Sequence, residues 1–312
     1  MPEGAHGTRR AAHDTRSRQY ISASMLILPA YAKLNLALEV VARRADGMHD
    51  IDSIVVRIDW HDLVGVTLLP PRERVRLVVA GPAAAGVPTD ERNLAVRAAA
   101  ALLASRSDAT SASIWLEKRV PHAAGLGGGS ADAASVLRAL AALLAGSDVS
   151  FSDSHLRAVA SDLGSDVPAL LAGGAQRVGG RGDMVQPMRV PSLHVAVAMI
   201  SPSATGDAYA GLLPEERVGG GRVLRLAAAL RDGTLDTSLL GSALEAGACR
   251  ANPELGRALE RARGVTPGYA WHLTGSGGAL FSIARDGAQA TSLAAAMTDA
   301  GFVARACRTV AA

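Results

Sequence analysis

The chain has 312 residues, 49% of them hydrophobic and 20% charged, with a formal net charge of +3. That length and apolar content suffice for a large core, as one bilobal protein or two modest domains, and exclude wholesale disorder. The arginines are scattered and aromatics make up only 3%, which excludes the concentrated basic face with interleaved aromatics expected of a nucleic-acid binder.

The first 24 residues carry Arg9, Arg10, Arg16 and Arg18 without apolar periodicity and read as a tail outside the fold, or as translation begun upstream of Met25. From Met25 the pattern changes. Leu34, Leu36, Leu38 and Val40 alternate with Asn35, Ala37 and Glu39, the two-residue period of a strand with one buried face. Asp46-Gly47 predicts a tight hairpin turn, and Ile54, Val56 and Ile58 resume the alternation. Residues 64–69 and 75–79 read as two further strands. Asn93 is an N-cap residue opening a helix through Ala104. A short strand, 113–117, precedes a glycine-rich loop and an Ala/Leu-rich helix from about Ala131 to Ala145. Helix 155–163 ends at Gly164, and Ser165-Asp166-Val167-Pro168 starts another.

Residues 173–183 read as a glycine-rich connection, which puts a boundary between residues 25–185 and 190–312. Beyond it come strand 194–200, helices 223–230 and 253–262, strand 279–284, helix 290–300 and strand 302–306. Irregular alternation of strands and helices predicts an α+β protein in two lobes. Two cysteines, Cys249 and Cys307, are too few for a disulfide framework and lack metal-ligand spacing. No apolar run approaches the ~20 residues of a membrane span. A cytoplasmic protein with no membrane partner is expected.

Three local patterns carry chemistry. Gly125-Leu126-Gly127-Gly128-Gly129-Ser130 lets the backbone curl closely round a ligand and feeds directly into a helix. The unpaired N–H groups and positive dipole end of that helix favour phosphate; a hinge with Ser130 as N-cap is the plainer reading. The loop matches neither a Walker A sequence nor Gly-x-Gly-x-x-Gly. Lys33 and Asn35 lie two apart on one strand face and either orient a substrate hydroxyl or merely meet water. Asp166, ahead of a helix, either caps it or aligns an attacking alcohol, as suits phosphoryl transfer. Gly275-Ser276-Gly277-Gly278 is a turn, or a second stretch of backbone brought near a ligand.

Residues 29–36, 44–49, 125–133, 163–168 and 273–278 together resemble the conserved blocks of the GHMP kinase superfamily, in family order. The resemblance implies a two-lobed fold, with an N-terminal ribosomal-protein-S5-domain-2-like lobe that binds ATP and a C-terminal ferredoxin-like lobe. It also implies phosphorylation of a small alcohol, specifically a cytidine-diphosphate-linked methylerythritol, in isoprenoid precursor synthesis. By the same resemblance, Lys33 and Asp166 are the catalytic pair. Pro121, His122, Ala123, Ala124, Gly125, Leu126, Gly127, Gly128, Gly129, Ser130 and Ala131 wrap the ATP phosphates, and Asn93 lies near the adenine. Asn35, Met48, His49, Thr205 and Tyr209 line the substrate pocket. Mg²⁺ comes with ATP, and Ser130 and Asp132 are its candidate ligands. Met48 departs from the aromatic usual at its position, which leaves room for another small alcohol as substrate. A non-catalytic nucleotide-binding regulator on the same scaffold is the remaining alternative.

Overall fold

The alternating residues after Met25 form a strand much longer than their pattern alone predicts. In the computed structural model, which describes residues 24–71, 73–106, 109–145, 151–201, 204–217 and 219–311, β1 spans Leu26–Arg43 and β2 spans His49–Leu69. All but the last residue of the expected tail lie outside the described residues. The two strands pair antiparallel around a turn in which Gly47 has φ of 82° and Asp46 Oδ1 accepts the Met48 N–H at 3.0 Å.

The strands expected at 54–58 and 64–69 are thus one strand, and the polar residues between them have partners. Trp60 Nε1 donates to Arg119 O at 2.8 Å, and Asp62, fully buried, accepts from Lys118 and from the amides of Arg119 and Val120. β1 also departs from expectation in being buried on both faces from Ala32 to Val40. Packing of α2 (Gly128–Leu143) on one side and of the C-terminal half on the other leaves Lys33 and Asn35 only 5% and 4% exposed.

Between these come β3 (Arg76–Ala80), α1 (Leu94–Leu103) and β4 (Ser111–Glu117). Asn93 caps α1 as expected, accepting from Ala95 N. After α2 follow α3 (Asp153–Leu163), α4 (Val167–Ala172), β5 (Ala175–Gly180) and β6 (Met184–Met188). The stretch expected to be a mere connection is therefore a hairpin, with β5 paired on β2. Its glycines mask a strand in the sequence, while Gly180 and Gly182 take the positive φ the turn requires. The C-terminal half comprises β7 (His194–Met199), α5 (Thr205–Ala210), α6 (Arg222–Arg231), β8 (Gly241–Ser242), α7 (Glu245–Ala251), α8 (Pro253–Val265), β9 (His272–Leu273), β10 (Ala279–Ala284), α9 (Gly287–Asp299) and β11 (Ala304–Val310). β11 outruns its expected end at Ala306 because it pairs with β7 and then with β2, making one sheet in the order β3-β4-β2-β11-β7-β10-β9. Among the described residues no helix is long and apolar enough to cross a membrane.

The core has three main clusters. One joins α1, α2 and α3 to β2 and β4; a second lies between β1, β2, α6, β7 and β10; the third packs α5, α7, α8 and α9 on β7 and β10. Phe281 is completely buried in the second cluster, its ring 5.5 Å from that of His272. Phe281→Ala is expected to lower unfolding free energy by about 3–5 kcal/mol, through lost transfer energy and an unfilled cavity. A urea titration with an unchanged midpoint would refute this.

Candidate active site

Gly125 and Gly127, with φ of 72° and 67°, shape the loop that leaves β4. Gly127 is the N-cap of α2, which therefore starts at Gly128 rather than near Ala131, and Ser130 lies in its first turn instead of capping it. The first turn leaves amides without intrahelical partners. A Cβ added at Gly129 would meet nothing within 4 Å, so this end of the helix faces open space. Leu126 is fully buried beneath the loop, and Ala124 nearly so, whereas His122 and Ala123 are exposed.

The loop is seated on two other segments. Leu126 O accepts the Lys33 N–H at 2.8 Å, tying it to β1. A Cβ on Gly125 would sit far inside contact distance of Gly277 O, and one on Gly278 would lie 2.7 Å from Ala124 O. The second glycine stretch, 275–278, is thus more than a turn: its backbone packs directly on the phosphate-type loop. Lys33 passes behind Gly127, where a Cβ would be 2.8 Å from Lys33 Cγ.

Lys33 Nζ donates to Asn35 Oδ1 at 2.7 Å and lies 3.6 Å from Asp166 Oδ2. Asn35 is held on three sides. Its N–H donates to Thr274 Oγ1 at 2.8 Å, and its Nδ2 donates to Ser53 Oγ at 2.8 Å, which in turn donates to Ala37 O. Asp166 stands at the N-cap position of α4 but makes no cap hydrogen bond, and its side chain is 40% exposed. A buried ammonium and a solvent-facing carboxylate therefore meet beside the loop, a geometry able to hold a hydroxyl against a phosphate. Ser53 and Thr274 were not anticipated as supports; only the place of Thr274 ahead of the second glycine stretch hinted at it.

Of the expected substrate residues, His49, Tyr209 and Thr205 lie along one rim, whereas Asn35 is buried beside Lys33. The rings of His49 and Tyr209 stack with centroids 4.8 Å apart and planes 20° from parallel. Burial pushes the Tyr209 phenol up to about 12, and the nearby Asp166 carboxylate adds to the shift. Burial lowers the pKa of His49, with Arg217 and Arg43 adding to it. Thr205 Oγ1 is 2.9 Å from Ser276 Oγ, so the rim touches the second glycine stretch. Met48 is 52% exposed, and His49 rather than Met48 faces Tyr209.

Asn93 is occupied locally: besides capping α1, its Nδ2 donates to Pro88 O at 2.8 Å. Of the two residues expected to hold Mg²⁺, Asp132 does not fit one. Asp132 is 2% exposed, and its Oδ2 accepts from Lys118 Nζ at 2.9 Å, so an ammonium stands where the cation would. Burial pushes the Asp132 carboxyl up, and Lys118 pulls it down. Among the described residues no group of three or more His, Cys, Asp or Glu is placed to hold a metal. A separate cleft of about 860 Å³ includes Glu39, Glu245, Arg263 and His272. Glu39 caps α6 and Glu245 pairs with Arg263, so its charges are largely matched from within.

Comparison with known proteins finds relatives for both halves of the chain. The model of the GHMP kinases N terminal domain matches residues 93–174, and that of the GHMP kinases C terminal matches residues 225–303. A relative from Polaromonas sp. named 4-diphosphocytidyl-2-C-methyl-D-erythritol kinase is 41% identical over 181 residues, and another from Rhizorhabdus wittichii is 40% identical over 187; these matches span 57% and 61% of those relatives' own length. A relative of the same name from Bradyrhizobium sp. is 35% identical over 86% of this chain and 91% of its own. A crystal structure of 4-(cytidine 5'-diphospho)-2C-methyl-D-erythritol kinase superposes with a TM-score of 0.74 at 31% identity, over 92% of this chain and all of that one. Homoserine kinase from Cytophaga hutchinsonii, at 19% identity and a TM-score of 0.67, shares the fold. On both family models, and on relatives matched along nearly their whole length, the chain belongs to the GHMP kinase family, on the branch of the 4-diphosphocytidyl-2-C-methyl-D-erythritol kinases.

Proposed function

We propose that the chain transfers the terminal phosphoryl group of ATP to the 2-hydroxyl of 4-diphosphocytidyl-2-C-methyl-D-erythritol. The observation that carries this reading is the approach of Lys33 Nζ to Asp166 Oδ2, 3.6 Å, immediately beside Gly127. In the reaction the alcohol oxygen bonds to the γ-phosphorus as the bridging oxygen leaves with ADP. Asp166 aligns the hydroxyl and accepts its proton, and Lys33 stabilises the charge carried by the transferring group. Such transfer depends mainly on position and electrostatics. Asn35 fixes the lysine, and residues 121–131 wrap the phosphates, with the N–H groups at the start of α2 as donors.

The His49–Tyr209 stack supports a cytosine site at the rim, since a planar base can slide onto or displace one of two stacked rings. Thr205 and Met48 complete that wall. Mg²⁺ would come with the nucleotide and neutralise phosphate charge, and the Ser130 hydroxyl, in the first turn of α2, is the protein group that would hold it. We divide the chain functionally into an ATP-binding part, 25–185, and a second part, 190–312, acting in the cytoplasm.

Initial rates with the cytidylated alcohol, with methylerythritol phosphate and with mevalonate or homoserine test the substrate. The cytidylated compound should be preferred by at least about a hundredfold in kcat/KM, the scale of two lost stacking and hydrogen-bonding contacts. Faster turnover of an uncytidylated alcohol would defeat the assignment.

A further inference from the structure

Lys118 takes no part in the transfer just described, yet it is buried between two buried carboxylates. Its Nζ donates to Asp62 Oδ2 at 2.5 Å and to Asp132 Oδ2 at 2.9 Å, and the three side chains are 3%, 0% and 3% exposed. The second Asp62 oxygen accepts the N–H groups of Arg119 and Val120, at 2.5 and 2.8 Å. Those two residues carry the chain out of β4 toward the loop. Asp132 lies just past the first turn of α2, where the loop ends. One ammonium therefore ties both ends of the glycine loop to β2.

Its position relative to the loop is equally specific. A Cβ on Gly128 would be 3.3 Å from Lys118 Nζ, just as one on Gly127 would be 2.8 Å from Lys33 Cγ. Two lysines thus back consecutive glycines, one opening to the Asp166 side and one enclosed. Both carboxylates raise the pKa of the Lys118 ammonium, and together they outweigh the lowering by burial. Buried ion clusters are often no more stabilising than apolar side chains of similar size, so stability alone gives little reason for three charges here.

We propose that Lys118 is a positioning residue for the phosphates of the bound nucleotide, acting through the loop amides it braces, and that Asp132 is its counter-ion rather than a ligand of a divalent cation. This rests on the reading of the loop as a phosphate cradle. The test uses the full chain, with ADP and adenosine as probes, each titrated in EDTA and in Mg²⁺ by competition with a fluorescent ADP analogue.

K118M/D132L replaces one ammonium and one carboxylate by apolar groups while Asp62 keeps its two amides. Once circular dichroism and a melting curve show it folded, its ADP affinity should fall about tenfold or more, the scale of one charge-assisted contact, with adenosine affinity within twofold of the parent. Should that variant not fold, K118Q/D132N, which keeps hydrogen-bonding groups at both positions, is read the same way. D132N alone should change ADP affinity equally with and without Mg²⁺. An unchanged ratio of ADP to adenosine affinity in a folded double variant overturns the positioning role. A loss in D132N confined to Mg²⁺ overturns the counter-ion assignment. If the parent protein itself shows no preference for ADP over adenosine, the cradle reading fails, and the proposal with it.

Discussion

Asp166→Asn is expected to lower turnover about a thousandfold while leaving ATP affinity within twofold, the scale of a lost general base or aligning group. The substitution is nearly isosteric. Asp166 makes no cap hydrogen bond to α4 and its side chain is 40% exposed, so the fold should not register the change. Lys33→Met should produce a loss of similar size with some added cost in stability, because Lys33 is 5% exposed and donates to Asn35 Oδ1 at 2.7 Å. If the two groups act as one unit, the double variant will be scarcely slower than the worse single one, since such effects are strongly non-additive. Single-turnover rates at saturating ATP separate this chemistry from binding. A full multiplication of the two losses would mean that the pair, although 3.6 Å apart, works independently, and unchanged turnover in Asp166→Asn would remove that carboxylate from the mechanism.

The parts of this site legible in the sequence are those whose chemistry is local. Four glycines ahead of an Ala-rich helix announce an amide-lined turn whatever surrounds them. Asn93 and Asp46-Gly47 announce a cap and a hairpin for the same reason, and both occur as expected. What could not be read is what distant segments supply. Whether Asn35 met water or a ligand could not be read from its strand, because nothing near it in sequence reveals that Ser53 on the paired strand and Thr274, 239 residues away, hold it buried. The hairpin at residues 175–188 was hidden by its glycines, which weaken any strand signal, and was specified instead by pairing with β2. Asp132 was misjudged as a cation ligand because a carboxylate near a phosphate-type loop invites that reading; the ammonium that claims it comes from Lys118, 14 positions earlier.

Gly125→Ala should be severely damaging for a change of one methyl group. Gly125 has φ of 72°, a conformation costing a residue with a Cβ about 1 kcal/mol or more. The added methyl would also press on the carbonyl of Gly277, a backbone group that cannot rotate away. Relief requires the loops 121–127 and 275–278 to part. Leu126, which holds the Lys33 amide, lies in the first of these segments, and Thr274, which holds Asn35, immediately precedes the second, so Lys33 would lose its orientation. The expected result is a loss of kcat/KM for ATP of at least about a hundredfold, since an ångström of misplacement in such a site can cost that much, together with a drop of about 2–3 kcal/mol in stability. Gly129→Ala is the matched control. Gly129 lies in the first turn of α2, and a Cβ there meets nothing within 4 Å, so the change should raise stability by about 0.5–1 kcal/mol. If both variants unfolded at the same urea concentration as the parent, the glycines would be interchangeable, and the interlocking of the two loops would not be what holds Lys33 against Asp166.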